Sequence, residues 1–463
     1  MPSSRLHRGA RSRPSLPSLL AFAAALAACA CAGDAGPAAE PVNVLLISID
    51  TLRPDRLGCY GHDRETSPTI DAVAAGGVLF EDVTSAAPWT LPAHTSMLTG
   101  LYPRSHGVRG HNDKLAATTR SLATRLHDVG YSTMAVINSH NLSKRYGLNQ
   151  GFDRFLYLLE EDEDNVIVDR GPQIVDLGLD FLRNRDDRPF FLFLHFYDVH
   201  SDFNPSPEYR QRFERPYSGD IDGTTAQLGE LRASGGLLTE ADANHLLDLY
   251  DAEIRQLDDQ LARLFNYLDH AGLAANTLVV VTSDHGEAFG EHGTVLHGQT
   301  HYEELIRIPL LMRGPGMLVG RRIADPVHLV DVTPTILAST GLPDATLDGI
   351  DLHALWSGAP VPDRFLFSEA DHNNSKDDVR RMIRFEGHKL HYDKRDGATA
   401  MYDIATDPGE LRDVSKEEPE LADLLMARLQ TFMSSEVEAE ANSELSPEDQ
   451  RLLESLGYVD GDQ

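Results

Sequence analysis

Several stretches of the chain are apolar almost without interruption and rich in β-branched or aromatic residues: VNVLLISID, STMAVIN, PFFLFLHFYD, NTLVVVTSDHGE and RIPLLMRGPG. Short runs of this kind, bounded by turn signals, predict strands buried on both faces, as in parallel sheets. Helical patterns lie between them. SPTIDAVAAGG opens on Ser-Pro and stops at Gly, LPAHTSMLTG predicts a helix starting just after Thr90, and DAEIRQLDDQLARLFNYLDHAG is a long amphipathic helix ending at Gly272. PVHLVDVTPTILASTGLP adds a strand followed by a helix. Strand and helix in alternation predict an α/β fold with a doubly wound, mainly parallel sheet. Ligands of such sheets bind beyond the carboxyl ends of the strands. Three strands end there in candidate ligands: Asp50, the Asp198/His200 pair, and Asp284 with His285.

The texture changes near Asp348. RFLFSEA, RMIRFEGHKLHYDK and TAMYDI are short and alternating, and predict a small antiparallel sheet followed by a charged helix. The organisation expected is therefore a main domain over 42–347 and a C-terminal subdomain and tail over 348–463. Residues 201–245 are poorly patterned and read as an insertion near the crevice, a candidate lid.

The N-terminus belongs to export rather than to the fold. A basic segment, MPSSRLHRGARSR, precedes the apolar LPSLLAFAAALAACACAG. Leu26-Ala27-Ala28-Cys29 resembles a bacterial lipoprotein cleavage box, which predicts a signal peptide over 1–28, lipidation of Cys29 and a linker over 29–41; an ordinary signal peptide is the alternative. On this reading the protein is exported and held on a membrane by a lipid anchor, in the periplasm or at the cell surface of a bacterium. No later segment reaches the ~18 apolar residues that a span requires. Only Cys59, of three cysteines, lies in the folded part, so no disulfide framework is available there. The net charge of -31 argues against nonspecific nucleic-acid binding, and no nucleic-acid partner is expected.

Two carboxylates and an imidazole at strand ends, Asp50, Asp284 and His285, suit one divalent ion. Zinc or manganese is favoured over magnesium, and calcium prefers an all-oxygen set. Thr90 opens the block TLPAHTSMLTGLYPRSHG. A threonine hydroxyl is a weak nucleophile unless a base or metal activates it. The ion could do so by taking the Thr90 oxygen as a fourth ligand. Alternatively Thr90 is a helix cap without chemistry.

NVLLISIDTLRPDRLGCYG, TLPAHTSMLTGLYPRSHG, VTSDHGEAFGEHG, LHGQTHYEELIRIPLLMRGPG and MYDIATDPGELRDVS together resemble the sulfatases of the alkaline phosphatase superfamily, in the family's order. The resemblance covers nearly everything after the linker. It implies a sulfatase-like catalytic domain with a smaller C-terminal sheet, metal ligands at Asp50, Asp284, His285 and the Thr90 oxygen, and contacts from His200 and His297 to the ester oxygens or to the departing group. His94 is expected to bind an anion oxygen, with Asp198 also lining the substrate. His106 and His292 read as turn residues, and Tyr302, Glu303 and Glu304 as helix residues behind the site.

The departures point to a change of reaction. Sulfatases carry Cys or Ser, converted to formylglycine, where Thr90 stands, with Arg at the place of His94 and usually a second Asp where Thr51 stands. T-x-P-x-H instead resembles the phosphodiesterase branch. A threonine sulfate would be an inert alkyl sulfate, whereas a threonine phosphate can be attacked in line. Three readings follow. The first is a metal-dependent hydrolase or transferase of phosphate mono- or diesters working through a Thr90 intermediate. The second is a sulfatase without formylglycine, in which water attacks. The third is a non-catalytic protein that binds an anionic glycan. The first two take an anionic ester as substrate.

Overall fold

The computed structural model describes residues 41–158, 170–371, 379–435, 437, 440–442 and 450–451. The segments expected to carry the signal peptide, the lipidated Cys29 and nearly all of the linker lie outside these residues.

Five predicted strands join three unpredicted ones, 78–80, 154–157 and 321–323, in one eight-stranded sheet, in the spatial order 321–323, 78–80, 310–313, 277–282, 43–49, 190–196, 132–137 and 154–157; the strand expected in PVHLVD, Val327–His328, pairs instead with Val83–Thr84. The central strand Asn43–Ile49 pairs in parallel with both neighbours, Phe190–Phe196 and Thr277–Thr282. Leu310–Arg313 runs antiparallel to both of its own.

Side chains alternate across a strand, so continuous apolar runs feed two cores. Val44, Leu46, Phe191, Phe193, Leu278 and Val280 form one core with Leu91, Met97 and Ile336. These last come from the helices Thr90–Thr99 and Val332–Ser339. Leu45, Ile47, Leu192, Leu194, Val279 and Val281 form the other. Its cover comes from the helices Pro68–Ala75, Gly171–Arg183 and Glu240–His270.

The same alternation places the polar residues. Ser48 lies in register with His195 on one side and Thr282 on the other. Counting in twos from Leu46, Phe193 and Val280 puts all three on the face that carries the Thr90 helix. A polar row thus crosses the sheet just before its strands end.

The long helix differs from expectation: it begins at Glu240, not near Asp251, behind a capping box formed by Thr239 and Asp242. Buried Asp248 and Asp251 interrupt its apolar stripe, which hides the first turns from a periodicity count. They are paired with Arg56, Arg64 and Arg215. The stretch 201–245 also contains the helices Pro207–Phe213 and Thr225–Ala233, so it is more ordered than its composition suggests.

The C-terminal strands form a four-stranded antiparallel meander over Leu366–Asp403, covered by the helix Pro419–Met433 through Ile383, Leu390, Met401, Leu425 and Leu429. It joins the main domain through apolar contacts, Met382 on Leu305 and Ile306 and Phe367 on Tyr102, and through polar ones. Glu369 N–H donates to Ala86 O at 2.9 Å, and Arg384 Nη1 to Asp82 Oδ1 at 2.6 Å. Lys389 is fully buried between Glu303 Oε1 at 2.8 Å and Glu410 Oε1 at 2.9 Å. A buried ammonium is tolerated only with such partners.

This cluster predicts an acid-sensitive junction. Burial alone would raise the Glu410 carboxyl, but Lys389 and His391 outweigh it and lower it from the ordinary 4.5 to about 2. A depressed carboxylate stabilises the fold above its unfolded pKa and loses that contribution as pH falls through the folded one. The expected loss is roughly 3 kcal/mol between pH 4.5 and 2. Thermal melting should show a shallower fall in midpoint with acid for Glu410→Gln than for the parent; parallel curves would contradict it.

Candidate active site

Asp50 follows the central strand directly. The chain then turns sharply at Thr51, a non-glycine residue at φ 55°. Thr51 Oγ1 donates to Val199 O at 3.0 Å, so the residue in the place of a second aspartate is tied to a neighbouring loop. Ser283, Asp284 and His285 follow the strand Thr277–Thr282. Gly286 lets this loop pass the next one: a Cβ there would lie 2.1 Å from Glu304 O. Thr90 is the first residue of its helix and is fully buried.

These four residues, far apart in sequence, meet around one atom. His285 Nε2 lies 3.4 Å from Thr90 Oγ1, 3.5 Å from Asp50 Oδ1 and 3.2 Å from Asp284 Oδ2. Ligand atoms of Asp50, Asp284 and His285 all fall within 4.8 Å of one another. Asp50 Oδ1 and Asp284 Oδ2 are buried and accept no well-aligned hydrogen bond, their near neighbours being His285 Nε2 and, for Asp284, His94 Nδ1. Two orphaned carboxylate oxygens facing an imidazole nitrogen are costly unless a cation joins them. His285 Nδ1 lies 2.9 Å from Gly286 O, a contact that fixes the proton there and leaves the Nε2 lone pair for a metal. The residues therefore fit a divalent ion.

The electrostatics agree. Burial, then the charge of Asp284, hold the Asp50 carboxyl well above its usual range. Burial would raise Asp284 as well, but His285 and His94 outweigh it and keep that carboxylate low. The two carboxylates are thus driven apart by sharing one dry site.

Two residues expected on the substrate, His94 and Asp198, already have protein partners. His94 Nε2 lies 2.9 Å from Ser48 Oγ, and its Nδ1 lies 3.0 Å from Thr90 O and 3.2 Å from Asp284 Oδ2. With both ring nitrogens engaged and no exposure, His94 braces Thr90 and Asp284 from beneath instead of binding an anion oxygen. One helical turn separates it from Thr90, which places it under the first turn. Asp198 accepts the Gly171 N–H at 2.6 Å, at the start of the helix Gly171–Arg183. It anchors that helix end, where free N–H groups attract a carboxylate.

His200 and His297 do come together at the site. The His297 ring centre is 4.4 Å from that of His285 and 4.8 Å from that of His200. His200 stacks on Tyr197, with Nε2 3.1 Å from Tyr197 Oη and Nδ1 2.7 Å from Ser201 O. Burial, then His297, push His200 down to about 3, so its ring is neutral. His106, expected in a turn, ends the short helix Pro103–His106, and His292 lies in the tight turn Glu291–Gly293. His106 bonds Ser96 and Val108, and His292 stacks on Tyr302 with Nδ1 on Glu304.

Three contributors escaped the sequence reading. His195 Nε2 lies 3.2 Å from Asp50 Oδ2, leaving Oδ1 to face the site. Its signal was present: it breaks the alternation of Phe191 and Phe193. Glu287 Oε1 lies 3.1 Å from His297 Nδ1, and Arg232, from the 201–245 stretch, donates to His297 O at 3.4 Å. Neither follows from spacing alone.

Hard ligands on strand ends, beside a hydroxyl at a helix N-terminus on the same face, define a metal-dependent ester-hydrolase site. Residues 42–342 match the Sulfatase family, and residues 290–438 match the C-terminal region of N-sulphoglucosamine sulphohydrolase. The chain belongs to the sulfatase family, hydrolases of sulfate or phosphate esters.

It is 25% identical over 439 residues to an arylsulfatase of Clostridium perfringens, covering 81% of this chain and 90% of that protein. It is 26% identical to the multifunctional alkaline phosphatase superfamily protein PehA of Trinickia caryophylli, covering 65% of this chain and 74% of that one. Among solved structures, BT4656 in complex with its substrate D-glucosamine-2-N,6-O-disulfate is similar with a TM-score of 0.72 at 20% identity, covering 86% and 98%. The phosphonate monoester hydrolase of Agrobacterium radiobacter reaches 0.69 at 22%, covering 85% and 95%. These likenesses show the fold. With hydrolase membership, the non-catalytic glycan-binding reading falls away.

Proposed function

We propose that the protein cleaves phosphate mono- or diesters through a covalent Thr90 intermediate. The observation that carries this reading is the placement of Thr90 Oγ1, 3.4 Å from His285 Nε2 and beside two orphaned carboxylate oxygens. Position 90 holds no Cys or Ser from which formylglycine could form.

Asp50, Asp284 and His285 would hold the ion, which when bound supplies Lewis acidity to the site. His195 and His94 keep Asp50 and Asp284 aimed at it. Thr90 Oγ1, its proton released to solvent, forms the bond to phosphorus while the bond to the departing oxygen breaks. His297 stands on that side of the site and hands a proton to the departing oxygen; His200, with both nitrogens held, buttresses it. Water, or an acceptor hydroxyl in a transferase, then attacks the Thr90 phosphate and restores the hydroxyl.

The test is peptide mass spectrometry after a brief incubation and acid quench, with matched phosphate, phosphodiester and sulfate esters and manganese or zinc. An adduct of phosphate mass on the Thr90 peptide is expected. Steady sulfate release without any adduct would replace this reading with a water-attacking sulfatase, a reading that the arylsulfatase relative favours.

We also propose, from the residues around Cys29, that the protein is exported and carries a lipid there. Among the described residues, no helix is long and apolar enough to cross a membrane, so attachment would rest on that lipid. Expressed in a bacterium, the parent should partition into detergent and Cys29→Ser into the aqueous phase. Equal partitioning would dismiss the anchor.

A further inference from the structure

We infer that Glu287 is a positioning residue acting through His297, and that the pair adapts the site to esters of alkyl alcohols rather than aryl esters. The inference rests on the phosphoryl-transfer reading above and names the substrate class for it.

The two residues flank a short hairpin. Phe289 pairs with Val295 and Ala288 with Leu296, so Glu287 and His297 are the next positions outward, across from each other. Glu287 is 1% exposed. Both of its oxygens face His297 Nδ1, at 3.1 Å and 3.3 Å. The frame is clamped from both ends. Arg53 Nη1 donates to Glu287 O at 2.9 Å, and Arg232 Nη1 to His297 O at 3.4 Å. A carboxylate on one nitrogen of an imidazole fixes the ring's tautomer and orientation and sends the other nitrogen the opposite way. Here Nδ1 is fixed, and the ring itself lies against His285.

Burying a carboxylate costs several kcal/mol unless it is paired. The chain accepts that cost beside His297, the imidazole to which the reading above gives the departing oxygen. An aryl oxide leaves readily with its charge delocalised, whereas an alkoxide needs a proton as it leaves. As the Thr90 oxygen bonds to phosphorus, the bond from phosphorus to the alkyl oxygen breaks. The electron pair stays on that oxygen, which takes the proton of His297 Nε2. When water later attacks the Thr90 phosphate, the bond from phosphorus to the Thr90 oxygen breaks; one water proton returns to Nε2, the Thr90 oxygen takes a proton back from solvent, and the protein ends as it began.

The experiment measures kcat/KM of the full chain, loaded with manganese or zinc, on phosphate esters running from 4-nitrophenyl to phenyl to hexyl. The parent should depend weakly on the pKa of the leaving alcohol. Glu287→Gln should lose roughly 10–100-fold on hexyl esters and less than about threefold on 4-nitrophenyl esters. The slope against leaving-group pKa therefore steepens. His297→Gln should steepen it as well, and the double variant should add nothing further.

An equal loss across the series would make Glu287 merely structural. A steep slope in the parent would overturn the inference with no variant at all, so a misfolded variant cannot shield it. The Thr90 adduct is read separately. A shallow parent slope without the adduct strikes the nucleophile reading alone; the adduct with uniform losses strikes this inference alone.

Discussion

Thr90→Ala is expected to lower kcat by roughly 10⁴–10⁶-fold on every ester the parent cleaves, since removing a covalent nucleophile forfeits the whole two-step path. The phosphate adduct should vanish with it. Thr90→Ser is the informative companion. It keeps the oxygen and loses only a methyl group, in a fully buried pocket at the first turn of the helix. The serine variant should therefore retain the adduct with an activity loss on the order of tenfold, a small packing defect in near-attack geometry. Stopped-time mass spectrometry and steady-state kinetics on the three proteins check both. Substantial turnover by the alanine variant would mean that water attacks directly, and sulfate esters would then become the expected substrates.

The second large effect concerns the carboxylate pair. Asp50 and Asp284 are buried without exposure and present orphaned oxygens to one point. In the metal-free protein they repel; with a divalent ion they are its anchors. Asp50→Asn should therefore act in opposite directions in the two states. Without metal the variant should melt above the parent, because one of two like charges in a dry site is gone. With manganese or zinc the parent should melt highest. An ion at a hundred times its dissociation constant adds about 2.7 kcal/mol. The variant should gain little and lose activity by about 10³-fold or more, as several kcal/mol of charge stabilisation disappear. Differential scanning calorimetry with and without chelator, alongside metal analysis, reads all of this. A variant that melts lower without metal and still responds to it would show that Asp50 is structural. Chelation of the parent should abolish turnover, and manganese or zinc should restore it.

The errors of the sequence reading are physical rather than accidental. His94 was expected on the substrate because sulfatases carry a cationic arginine there. An imidazole is shorter, and in this chain it ends on Ser48, Thr90 and Asp284 beneath the helix. Asp198 sits after a strand, as a ligand would, yet one of its oxygens is taken by a helix end. Residue type and strand-end position narrow the candidates, but they do not say which neighbour claims a side chain first.

What the sequence determined by itself was local. Runs such as VNVLLISID and NTLVVVTSDHGE carry enough apolar, β-branched character to specify strands buried on both sides, and their last residues had to be the ones facing the crevice. The candidates Asp50, Asp284 and His285 were legible for that reason, whereas Thr90, which opens a helix, stood out only through the resemblance of its block. Only the tertiary structure decided which strands became neighbours. The order placed Ser48 between His195 and Thr282, so that His195 could hold Asp50. It likewise folded a hairpin that set Glu287 against His297, and buried Lys389 between Glu303 and Glu410. Periodicity states which face a side chain takes; which partner waits on that face depends on packing between segments hundreds of residues apart.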